Sequence, residues 1–105
     1  PVLGQRNPAA AVLEDLFTVT APVNYVIGSS LVVCNRSATP TKFRIAVRPA
    51  GAAISDEMYL YYDTPISGNN TFETTIGMTL AVTDVVSVYA LDATLSFNAF
   101  GQEIT

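Results

Sequence analysis

The chain has 105 residues, half of them apolar and only 13% charged, which excludes a solvated disordered polymer and suffices for one hydrophobic core but not two. No apolar run approaches the roughly 18 to 20 residues of a membrane-crossing helix, and no basic region followed by an apolar block opens the chain, so the expectation is a soluble protein with no membrane partner. The net charge of −4 is unevenly spread: Arg6, Arg36, Lys42, Arg44 and Arg48 against Glu14 and Asp15 leave residues 1–48 at +3, whereas seven carboxylates and no cation leave the remainder at −7.

Residues 1–13 carry Pro1, Gly4 and Pro8 and follow neither helical nor strand periodicity. The segment reads as an extended N-terminal arm, with Val2, Leu3, Gln5, Arg6, Val12 and Leu13 as candidate partner contacts, ahead of a β domain over residues 14–105. Glu14 to Thr20 alternates and predicts a first strand, broken by Ala21-Pro22-Val23-Asn24. Tyr25 to Ile27 leads through Gly28 into Ser29-Ser30-Leu31-Val32-Val33-Cys34, a nearly unbroken apolar run expected inside a sheet and covered on both faces. Cys34, the only cysteine, reads as a buried inert thiol. After the turn residues Asn35 to Pro40, which are expected to close a central hairpin, Thr41 to Pro49 alternates strictly. Phe43, Ile45 and Val47 are expected on the core, while Lys42, Arg44 and Arg48 form a cationic row facing solvent or a partner.

Pro49 to Ala53 is a loop of small residues, and Met58 to Tyr62 is a strand whose alternation places Tyr59 and Tyr61 on one face, a possible aromatic platform. Ser67-Gly68-Asn69-Asn70 marks a turn before Thr71 to Ile76. Val85 to Leu91 and Thr94 to Phe100 predict a closing hairpin. Val86, Val88 and Ala90 share one face with Leu95, Phe97 and Ala99, and Ser87, Ser96 and Asn98 point outward. The sum is all-β: a single antiparallel β-sandwich of about seven strands, Greek-key or jelly-roll-like.

Chemistry is mostly excluded. With no histidine, Ser-His-Asp and Cys-His arrangements are impossible and the usual transition-metal sites lose their main ligand. No Gly-rich phosphate loop is present. Asp56, Glu57 and Asp63 fit no calcium-loop spacing, and Glu14, Asp15 and Glu73 read as solvated carboxylates rather than a glycosidase pair. The expectation is no enzyme and no cofactor, and a net-acidic chain is a poor partner for nucleic acid.

Val2-Leu3-Gly4-Gln5, Leu16 to Val19, Ser29 to Arg36, Phe43 to Gly51, Tyr61-Tyr62-Asp63, Gly68-Asn69, Ala81 to Ala90 and Leu95 to Gly101 together resemble a family of small virion proteins of tailed bacteriophages. The resemblance covers almost the whole chain through strand and turn patterns rather than an active-site signature. It implies a non-enzymatic virion component, made in the host cytoplasm, present as many symmetric copies and contacting major capsid, tail or baseplate proteins. Within that family, capsid decoration is the first expectation, with a tail, baseplate or fibre position next. A leading Pro1 fits a cytoplasmic product trimmed of its initiator methionine and equally a cleaved precursor. A carbohydrate-binding module using the tyrosine face is the expectation from another class.

Overall fold

The computed structural model describes all 105 residues and contains eight strands and no α-helix: β1 (Val2–Arg6), β2 (Leu13–Thr18), β3 (Tyr25–Asn35), β4 (Thr41–Arg48), β5 (Tyr59–Ile66), β6 (Thr71–Ala81), β7 (Val85–Ala90) and β8 (Leu95–Ile104). Single 3-10 turns at Pro49–Gly51 and Asp56–Met58 carry the chain from β4 to β5. The strands make two antiparallel four-stranded sheets, one ordered β1-β8-β3-β6 and the other β2-β7-β4-β5. Only β4 and β5 are sequential neighbours in one sheet; every other connection carries the chain from one sheet to the other.

The sheets share one core. Leu31, Val33, Leu95, Phe97 and Ala99 of the first sheet meet Phe43, Ile45, Val86 and Val88 of the second. The Phe43 ring lies 6.1 Å from Phe97 and 5.1 Å from Phe72, both across the intersheet space. The period-two readings of β4, β7 and β8 placed these residues inward, because a side chain on a pleated strand has only two faces to choose between.

Several expectations fail, each for a local reason. The turn after Asn35 and the turn at Asp92-Ala93 do not close hairpins: β3 and β4 lie in opposite sheets, as do β7 and β8. Turn-forming residues reverse the chain, but they do not say whether it returns beside itself or across the core. Within β3, Leu31 and Val33 are buried whereas Ser29 is exposed and Val32 and Cys34 are half-buried, so this strand is covered on one face only. Ser87 points outward as expected yet is fully buried, because Arg48 and Asp15 cover it on that face.

The count of strands rises from seven to eight because residues 1–13 are not a separate arm. Val2–Arg6 is an edge strand on β8, pairing Val2 with Phe100, Gln5 with Asn98 and Arg6 with Phe97, and Leu13 already belongs to β2. Pro1 and Pro8 flank β1 rather than interrupt it, and an edge strand tolerates what a central strand does not. Gly4 sits where β1 crosses the other sheet; a Cβ there would collide with the Leu16 carbonyl oxygen. Pro8 is fully buried, and the Ala11 N–H donates to the Ala90 carbonyl at 2.7 Å, so the segment is fastened at both ends.

Candidate functional site

The outward face of the β2-β7-β4-β5 sheet carries Asp15, Lys42, Arg44, Arg48 and Asp63. On β4, Arg44 faces Tyr89 of β7 directly in register. Its Nε donates to Asp63 Oδ1 at 2.7 Å, and its guanidinium carbon lies 4.1 Å from the Tyr62 ring centre and 4.3 Å from that of Tyr89. Arg44 is thus a stacked, ion-paired plane, and the hydrogen bond from it holds the Asp63 carboxyl below the usual carboxylate range. Arg48 donates through Nε to Ser87 Oγ and through a terminal nitrogen to Asp15 Oδ1, both at 3.0 Å, and also reaches the carbonyls of Gly51 and Ala52. Of the expected cationic row, Arg44 and Arg48 are therefore bound into their own domain. Lys42 alone is exposed, and its ammonium group makes no hydrogen bond or ion pair within the chain.

The tyrosines are sorted differently from the simple alternation. Pairing of β4 with β5 shifts register between Phe43 and Ile45 and again between Ile45 and Ala46, and Asp63 adopts φ 48. Those irregularities separate Tyr59 from Tyr61. Tyr61 turns towards the core, 5.2 Å from the Phe72 ring, and its hydroxyl donates to Thr74 Oγ1 at 3.1 Å across the two sheets. Tyr59 instead meets Tyr62 edge to face, with centroids 4.9 Å apart and planes at 84°. Tyr62 is 57% exposed. Asp56, Tyr59 and Tyr62 line a shallow recess of about 390 Å³.

The outward face of the β1-β8-β3-β6 sheet is chemically opposite. Register places Gln5, Asn98, Val32 and Glu73 in one row across it, Val2, Phe100, Ser30 and Thr75 in the next, and Ile27, Thr79 and Gln102 in another. Glu73 is the only charge in these rows. At one end Val2, Ile27 and Phe100, all exposed, border an open recess of about 590 Å³ with Pro1. The other residues expected of an arm are dispersed. Leu3 packs on the core, Gln5 Nε2 donates to Asn98 Oδ1 at 2.8 Å, and Arg6 pairs with Glu14 at 2.8 Å. Val12 is exposed and Leu13 half-buried.

The carboxylates weighed as a glycosidase pair are not brought together. Glu14 is held by the Ala9 N–H and by Arg6, which lower its carboxyl below the ordinary range; Asp15 is held by Ser87 and Arg48, and Glu73 lies on the other sheet. No three His, Cys, Asp or Glu side chains gather closely enough to hold a metal ion. The residue that sequence reasoning missed is Asn35, buried with every polar position used. Its Nδ2 donates to the Thr39 and Ser67 carbonyls, and its Oδ1 accepts from the Ser37 N–H and the Thr94 hydroxyl. It ties three loops at one end of the molecule, and its position inside an Asn-Arg-Ser turn gave no signal of that depth. The sequence matches no protein-family model and has no significant match among curated proteins.

Proposed function

We propose that this chain is a non-enzymatic structural protein of a bacteriophage virion, a capsid decoration protein in the first place and a tail or baseplate component in the second. The observation that carries the reading is the strand order. β1 pairs with β8, β2 with β7, β3 with β6 and β4 with β5, so each pair sums to nine. A long antiparallel ribbon of eight strands rolled into two sheets has this order, which is the jelly-roll arrangement of two Greek keys. Jelly rolls serve in viral capsids and in lectins, and fold alone does not choose between them. The surfaces favour the capsid. A sheet face with one charge and an apolar corner at Val2, Ile27 and Phe100 suits burial against a neighbouring subunit, because interface cores are depleted of charge. The lectin reading loses its two-ring platform, since Tyr61 faces the core.

In this reading the face of the β1-β8-β3-β6 sheet lies on the shell or on a second copy, and the charged face looks outward. Purified particles test it. The chain should be detected by mass spectrometry at a fixed copy number and located on the head by density or by labelling. Density on the tail would select the second assignment, and absence from particles would overturn both.

A further inference from the structure

We propose that the recess between Asp56, Tyr59 and Tyr62 is a binding site for an organic ammonium group. Two aromatic rings at 84° with centroids 4.9 Å apart make a V rather than a flat platform, and the third wall is a carboxylate. A sugar ring needs a broad flat face to lie on. A compact convex cation can touch one ring face, a neighbouring ring and a carboxylate at once, and the negative faces of aromatic quadrupoles attract it.

The polar groups of the recess are free to serve a ligand. The Asp56 carboxylate makes no ion pair within the chain, and neither it nor the Tyr59 and Tyr62 hydroxyls appear in any internal hydrogen bond. Glu57 adds a second negative charge on the same 3-10 turn, and residues 49–105 contain no cation to neutralise either. Arg44 shows that the Tyr62 ring accepts a cation in this setting, at 4.1 Å, yet Arg44 is satisfied by Asp63 and does not line the recess. Arg44 thus occupies a face of Tyr62 without entering the recess, whose lining is Asp56, Tyr59 and Tyr62 alone.

The ammonium group has two sources, a small quaternary headgroup or a lysine side chain of another protein, and the test separates them. Intact protein is titrated with tetramethylammonium, choline and Nα-acetyl-lysine amide, against sodium chloride and glucose at matched concentration. Tyrosine ring resonances are followed by NMR, with tyrosine fluorescence, free of any tryptophan, as a second reading. Saturable shifts confined to Tyr59 and Tyr62 are expected, with a Kd on the order of millimolar, as befits exposed cation–π contacts and one exposed carboxylate. Tyr62→Phe should bind within about twofold, Tyr62→Leu at least about tenfold more weakly and Asp56→Asn a few-fold more weakly. Normal melting of each variant shows that the fold is retained. Binding of the lysine amide as tight as that of tetramethylammonium identifies a protein side chain as the occupant, and binding of the quaternary compounds alone identifies a headgroup. No saturable response to any ammonium compound, or an equal response to glucose, overturns the proposal, and neither result bears on whether the chain is found in particles.

Discussion

Substituting Gly4 by alanine should destabilise the protein far more than a one-methyl change on an edge strand ordinarily would. The added Cβ would overlap the Leu16 carbonyl oxygen and stand 3.0 Å from both the Leu16 carbonyl carbon and Phe17 Cβ. Neither neighbour is the loose end of a side chain, so β1 must lift from β2 or shift along β8. Overpacking of this kind costs about 1–3 kcal/mol. In a domain of this size each kcal/mol moves the melting point by about 4–8 °C, so a drop of roughly 5 to 20 °C is expected. Gly77→Ala is the control, because a Cβ there meets nothing within 4 Å; it should stay within about 0.5 kcal/mol of the parent. Thermal unfolding by circular dichroism compares the two. If Gly4→Ala melts with Gly77→Ala, residues 1–6 are not held against the second sheet, and their reading as a free assembly arm returns.

Asn35→Ala should cost about 2–4 kcal/mol in chemical denaturation, because two carbonyls, an N–H and a hydroxyl lose their partner at a buried site. Tyr61→Phe should lose about 0.5–1.5 kcal/mol with its bond to Thr74, whereas Tyr62→Phe, whose hydroxyl has no partner, should lose less than about 0.5. Asp63 has its folded carboxyl held down by Arg44, so its contribution is present above the unfolded value near pH 4 and is lost as pH falls through the lower folded value. Arg44→Met should accordingly shrink the difference in melting temperature between pH 7 and pH 2; an unchanged difference would show that the ion pair is not formed in solution.

How much was legible in the sequence follows from what a strand pattern encodes. Alternation states which residues share a face, and it placed Phe43, Ile45, Val86, Val88, Leu95 and Phe97 in the core. It does not state which sheet a strand joins, since Phe43 and Phe97 have equal reason to point inward from either side. The crossings at residues 35–40 and 91–94 were therefore misread as hairpins. Alternation also fails wherever register slips. The β4–β5 irregularities and the positive φ of Asp63 turned Tyr61 inward and left Tyr62 beside Tyr59, and no residue near Tyr61 announces that change. β1 was lost because proline and glycine were read as breakers, when two of them bound the strand and the third permits its crossing of Leu16.

The uneven charge along the chain also has a structural answer. Pairing of the two halves would neutralise the acidic one, yet only Arg44–Asp63 joins them; Arg6–Glu14 and Arg48–Asp15 both stay within the first 48 residues. Three other carboxylates of the acidic half serve local backbone and hydroxyl groups: Asp84 accepts from the Ala50 and Ala81 N–H groups, Asp92 from the Thr41 hydroxyl and Glu57 from the Ser55 hydroxyl. Asp56, Glu57, Glu73 and Glu103 remain without a cation. Folding thus leaves the negative excess on the surface, where solvent and salt screen it in the isolated protein but a neighbour's cation would not be screened at contact. Asp56 lines a recess with Tyr59 and the exposed Tyr62, and Glu57 follows it on the same 3-10 turn, whereas Glu73 stands alone on an otherwise uncharged sheet face. The first arrangement selects a cation and the second merely tolerates water, so Glu73→Gln should leave ammonium binding unchanged while Asp56→Asn weakens it, and equal effects of the two would reduce the recess to general surface charge.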